Sequence, residues 1–203
     1  MHGKQLEAVT DTNYLGITIT DDLSWNLHIN NIVASANQAQ GMLSRNIQKL
    51  RNKLTPILST HLRPRVEYSA AIWDPHTQEN TDKIERVQRR AARYIFNNYS
   101  NESSVTSMIS KLNWIPLYQR RVNIRLCLFY KIVNGLVAIP TDTYLIPQNR
   151  TSRHYNTMAY TIFSPRHVYY KFSFFPRTVI AWNKLPESKV KAPKIEAFKT
   201  LVT

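Results

Sequence analysis

With 203 residues, 43% hydrophobic and 11% aromatic, the chain can bury the core of one ordinary domain or two small ones, which excludes wholesale disorder. Its 27 Lys and Arg against 13 Asp and Glu give a net charge of +14, which attracts polyanions, whether nucleic acid or an anionic membrane face. Only 4 Gly argue against a Gly-punctuated β-sandwich, and no run approaches the roughly 18 apolar residues that cross a bilayer.

The first twenty residues read as a hairpin: a strand over 5–9, a polar turn over 10–13, and an alternating strand over 14–20. Two strands alone are marginal in water, so sheet-like structure is expected to have preceded them. Ile29, Ile32, Val33, Ala36 and Leu43 then predict a helix over 26–45. Thr55 reads as a cap with Pro56 at the first helical position, and Ile57, Leu58, Leu62, Val66 and Ile72 continue that helix. Pro64 is expected to kink or split it. The next helix starts at Thr81, with Asp82 and Glu85 in its first turn. Ile84, Val87, Ala91 and Ile95 form its apolar stripe, and Lys83, Arg86, Arg90 and Arg93 an adjacent basic ridge. A short helix over 105–112 leads to Pro116 and a largely buried helix over 117–134, closed by Gly135. Periodicity fades into loop or short strand over 139–170. A helix restarts at 173–177 and ends at Pro186, and 195–202 forms a last amphipathic turn or two.

The charge is uneven. From Ser103 to Pro186 the only acid is Asp142, against eleven Lys and Arg. Arg121 and Arg125, four apart, fall inside the apolar arc of the 117–134 helix beside Arg120, and a buried unpaired guanidinium is costly. Three placements stand open: emergence near the N-terminal end, pairing with a carboxylate, or an external phosphate. The single Cys127 reads as a small hydrophobe in a reducing compartment, nucleus or cytoplasm. His2, His28, His61, His76, His154 and His167 lack metal-ligand spacing, and no nucleophile motif or Gly-rich phosphate loop occurs. The aromatics from Tyr155 to Phe175 read as a small satellite core, with base stacking as the alternative.

Tyr14-Leu-Gly-Ile17, Leu23-Ser-Trp25 and His28-Ile29 stand in the order found just after the catalytic palm of jockey-like non-LTR retrotransposon reverse transcriptases. Arg63-Pro-Arg-Val-Glu-Tyr68, Trp73-Asp-Pro75 and Ile84-Glu-Arg-Val-Gln-Arg-Arg-Ala91 continue the likeness. Leu112-Asn-Trp114, Tyr118-Gln-Arg-Arg121, Tyr130-Lys-Ile-Val-Asn-Gly135, Ser173-Phe-Phe-Pro-Arg177 and Trp182-Asn-Lys-Leu-Pro186 complete it over nearly the whole chain. The chain thus resembles the C-terminal part of such a polymerase. The resemblance implies a primer-grip hairpin at 1–20, with Tyr14, Leu15 and Gly16 in that role, a helical thumb at 21–98 and a C-terminal extension at 99–203. It further implies that Met1 corresponds to an interior position of a truncated reading frame. The palm with its three aspartates and Mg²⁺, and the fingers, would lie upstream.

In that register the pair Asp21-Asp22, preceded by Ile19 and Thr20, falls after the primer grip. An aromatic-x-Asp-Asp is absent there, so the pair reads as a turn or cap. The expected fold is mainly α: a short hairpin, a three-helix thumb-like bundle, and a helical extension with irregular segments. The expected function is non-catalytic binding of RNA or RNA–DNA duplex through Lys83, Arg86, Arg90, Arg93, Arg120, Arg121 and Arg125, with no metal, cofactor or membrane. The alternative is a helical protein-interaction or inert structural domain.

Overall fold

The computed structural model of the protein describes residues 8–46, 54–148 and 156–202. In chain order the elements are β1 (Asp11–Tyr14), β2 (Ile17–Thr20), α1 (Asn26–Asn46), α2 (Leu54–Glu67), α3 (Ala70–Trp73) and α4 (Gln78–Phe96). They continue with α5 (Val105–Lys111), α6 (Leu117–Val133), α7 (Thr141–Tyr144), α8 (Val168–Lys171), α9 (Phe174–Asn183), α10 (Glu187–Val190) and α11 (Ile195–Val202). The architecture is mainly α with one two-stranded antiparallel hairpin, as expected. Two compact units interleave along the chain: 1–68 with 77–103, and 69–76 with 104–203.

In the first unit, β1 and β2 pair with Asp11 opposite Thr20 and Tyr14 opposite Ile17. Leu15 and Gly16 make the two-residue turn with φ of 50° and 82°. Two positive φ values give a hairpin turn whose twist matches its strands, and glycine adopts one without steric cost. Asn13 Oδ1 accepts the Gly16 N–H at 3.0 Å. This shifts the expected hairpin. The polar stretch forms β1 rather than a turn, because β1 is exposed along its whole length and needs no apolar face. The strand expected over 5–9 lies largely outside the described residues.

Ile17 is buried, and the Thr18 N–H donates to His28 Nδ1 at 3.2 Å, which docks β2 on the first turn of α1. Asp22 serves the connection as the turn reading expected: its Oδ1 accepts the Thr20 hydroxyl at 2.6 Å and the Ser24 N–H at 2.8 Å. These bonds, the Thr20 hydroxyl foremost, hold its carboxyl below the ordinary 3.8.

Helices α1, α2 and α4 pack as a three-helix bundle. Its buried residues include Ile29, Ala36 and Leu43 from α1, Leu58, Leu62 and Val66 from α2, and Ile84, Val87, Ala91 and Ala92 from α4. Pro64 leaves α2 continuous; it removes one hydrogen bond without breaking the run. The break falls instead at Ser69, in the left-handed region at φ 51°, so Ile72 belongs to the separate turn α3. Helix α4 begins a turn before Thr81, whose hydroxyl donates to the Thr77 carbonyl at 3.0 Å.

The second unit is organised by α6, against which α3, α9 and α11 pack. Its core joins Leu126, Phe129, Tyr130, Val179, Trp182 and Phe198. Phe129 and Trp182 rings lie 5.1 Å apart, and Tyr130 stacks on Phe198 at 4.6 Å. The polar ends of these aromatics are satisfied: Trp182 Nε1 donates to Met158 O at 2.9 Å and the Tyr130 hydroxyl to Ala192 O at 2.6 Å. Gly135, at φ 65°, ends α6 as expected, with the Leu136 N–H closing on Lys131 O at 2.8 Å. The irregular stretch holds the short turns α7 and α8 and an isolated bridge between Pro147 and Tyr160. Asn183 takes the place of a strand partner for Tyr160, accepting its N–H at 3.0 Å and donating to its carbonyl at 2.7 Å.

Burial lowers the pKa of His28 below 6.5, and its Nδ1 serves as an acceptor, so the folded protein holds this imidazole neutral. The unfolded chain takes up the proton first as pH falls. Stability from the neutral ring is therefore complete above about pH 6.5 and is lost below it. The urea midpoint is expected to drop between pH 7 and pH 5, and a His28→Asn variant should lose part of that pH dependence. An unchanged profile in the variant would contradict the assignment.

Candidate nucleic-acid interface

The basic ridge of α4 follows from its periodicity: Ile84, Val87, Ala91 and Ala92 turn inward, and the cations emerge alongside. Lys83, Arg86 and Arg90 line a shallow groove of about 190 Å³, with Val33 and Asn37 of α1 forming its other wall. Lys83 is ion-paired to Glu79 at 2.9 Å, an exposed pair that contributes only tenths of a kcal/mol. Arg86 donates through Nε to the Asp82 carbonyl at 3.2 Å, and Arg90 through Nη1 to Asn37 Oδ1 at 3.2 Å. These are neutral acceptors that orient the guanidiniums without neutralising them. Among the described residues no carboxylate lies within 4.0 Å of either. Lys83 to Arg90 spans about 10 Å of helix, roughly three phosphate steps of a nucleic-acid strand. Arg93 differs: it is half-buried, turned toward the Tyr99 carbonyl at 3.4 Å, and outside the groove.

The three arginines of α6 separate by depth. Arg121 and Arg125 are 1% and 5% exposed, and both close on Asp74 at the end of α3. Arg121 Nε donates to Asp74 Oδ1 at 2.7 Å, and Arg125 Nε lies 3.1 Å from Oδ2. Arg177 of α9 completes the cage, with Nη2 at 3.3 Å from Oδ2 and Nη1 donating to the Asp74 carbonyl at 2.6 Å. Carboxylate pairing is thus the placement adopted, which corrects the expectation of phosphate contacts at Arg121 and Arg125. Burial, and then the like charges of Arg177 and Arg121, pull Arg125 down to about 10 despite Asp74. The same burial lowers Arg177. Three guanidiniums thus meet on the one Asp74 carboxylate in this buried cluster.

Sequence reasoning missed Asp74 and Arg177 because it sought acids near the arginines along the chain. The partner of Arg121 stands 47 residues away. A usable signal was present, since Asp74 sits between Trp73 and Pro75, and a carboxylate in so apolar a setting needs a cation. Arg120 has another place: with Lys131 and Lys199 it edges a cavity of about 460 Å³ floored by Ala71, Ile124 and Leu128. Half-buried Cys127 also lines it, and burial raises its thiol pKa, consistent with a packing role.

Tyr14, Leu15 and Gly16 come together at the hairpin tip. Tyr14 and Leu15 are 64% and 73% exposed, and the Tyr68 hydroxyl donates to the Leu15 carbonyl at 3.0 Å, bracing the tip from the turn after α2. Of the aromatics expected to form a satellite core, Tyr160, Phe174 and Phe175 pack on the second unit's core, whereas Tyr169 and Tyr170 stay exposed; Tyr155 lies outside the described residues. No helix among the described residues is long and apolar enough to cross a membrane. Compared with models of protein families, with curated proteins and with solved structures, the chain matches none.

Replacing Asp74 by Asn removes the carboxylate that Arg121, Arg125 and Arg177 share, and loss of one member of a buried ion pair costs about 3–5 kcal/mol. Urea denaturation should show a loss of that size; a change under about 1 kcal/mol would mean the cage is not stabilising. Gly16→Ala is expected to cost roughly 1 kcal/mol, because its φ of 82° strains any side chain. A Cβ there would meet Tyr68 only at ordinary contact, 3.5 Å, so no further clash adds to this.

Proposed function

We propose that the chain binds nucleic acid non-catalytically, positioning a template–primer duplex as the thumb and extension of a jockey-like reverse transcriptase would. The observation that carries this is the groove beside α4, where Arg86 and Arg90 are exposed, oriented by neutral acceptors and unmatched by carboxylates among the described residues. In a chain of net charge +14 such a groove draws in a phosphate backbone. Contacts of this kind fix position and register and carry no base information. The ordered likeness from Tyr14-Leu-Gly16 to Trp182-Asn-Lys-Leu-Pro186 supports the polymerase context. The three-helix bundle is the form that reading requires. The binding partners are RNA or RNA–DNA duplex and the palm and fingers of the parent enzyme, in nucleus or cytoplasm. Mg²⁺ chemistry belongs to the palm.

Fluorescence anisotropy with a mixed-sequence RNA–DNA duplex tests this. Affinity should fall steeply between about 50 and 200 mM salt. The double variant Arg86→Ala, Arg90→Ala should bind more weakly, with the slope of log K against log salt reduced by about 2. Its folding stability should stay within about 0.5 kcal/mol per site. Equal binding by the variant, or none by the wild type at low salt, would overturn the proposal.

A further inference from the structure

We propose that the segment 166–171, centred on α8, is a stacking platform for single-stranded nucleic acid, separate from the α4 ridge. Val168, Tyr169 and Tyr170 are 61%, 57% and 48% exposed, whereas Phe129, Tyr130, Trp182 and Phe198 of the same unit are buried. Adjacent apolar and aromatic side chains left in solvent offer a surface that a partner can cover. The His167 ring lies nearly parallel to that of Tyr169, with centroids 5.2 Å apart and 12° between planes, so planar groups are already stacked there. Arg166 and Lys171, both exposed, flank the rings. The Lys171 ammonium lies 5.6 Å from the centre of the Phe172 ring, which keeps its charge close to the aromatic surface.

Charge selects the occupant. Between Asp142 and Glu187 the sequence has no acidic residue, so nothing near the rings along the chain favours a cationic partner. Planar faces beside cations match unpaired bases on a phosphodiester strand, because every base offers a π-face and every step a negative charge. A duplex hides those faces inside its own stack, so the platform discriminates by strandedness and not by sequence. Tyrosine suits the task, since a ring with two side-chain torsions is immobilised at low entropic cost.

The test compares a labelled single-stranded RNA of about 12 nucleotides with a duplex of equal length. Tyr169→Ala with Tyr170→Ala should weaken single-strand binding roughly thirtyfold or more, the low end for two stacked bases. Duplex binding and the salt slope should not change, because no phosphate contact is removed. Phe at both positions should retain wild-type affinity and Leu at both should behave like Ala. Wild-type single-strand affinity in the Ala variant overturns the platform. So does full rescue by Leu, which would mark an apolar surface for a protein partner. The Arg86→Ala, Arg90→Ala variant fails differently, losing duplex affinity and salt slope, so the two assignments can fall separately.

Discussion

One buried carboxylate organises the second unit. Asp74 is the group on which Arg121 and Arg125 of α6 and Arg177 of α9 converge. In a medium that solvates ions poorly, three guanidiniums tolerate one another only around a counter-charge. That requirement explains the route of the chain. Residues 69–76 leave the first unit to deliver Asp74, and the chain then returns to the first unit at residue 77. Arg177 fastens the delivered segment twice more, through the carbonyls of Asp74 and Pro75, and His76 stacks on Phe172 at 4.1 Å.

The same residue type therefore has two meanings in this protein, and burial separates them. Arg86 and Arg90 are exposed, and their partners among the described residues are neutral acceptors. Arg121 and Arg125 have their charge absorbed within the fold. A net charge of +14 overstates what the surface offers, because part of it is enclosed.

Several short sequence stretches converge on the same buried groups. Trp73-Asp-Pro75, Tyr118-Gln-Arg-Arg121 and Ser173-Phe-Phe-Pro-Arg177 each supply one side of the Asp74 cage. Trp182-Asn-Lys-Leu-Pro186 supplies the core tryptophan and the asparagine that pairs with Tyr160. These stretches are held by packing and ion pairing. The groove cations Arg86 and Arg90 and the tip of Tyr14-Leu-Gly16 face outward.

The helices α1, α5, α6, α9 and α11 were legible in the residues alone, because apolar spacing, Gly135 and the prolines act within a few positions of where they stand. The α4 ridge was legible for the same reason: a helix of known pitch fixes which side chains share a face. The hairpin register, the break at Ser69 and the fate of Arg121 and Arg125 were not. Turn geometry depends on backbone angles that a polar stretch does not announce. The partner of a buried charge can stand anywhere in the chain, since electrostatic pairing is set by distance in space. Local periodicity thus determined where helices form and which faces they present, and only the tertiary structure decided which cations Asp74 would claim and which stay at the surface.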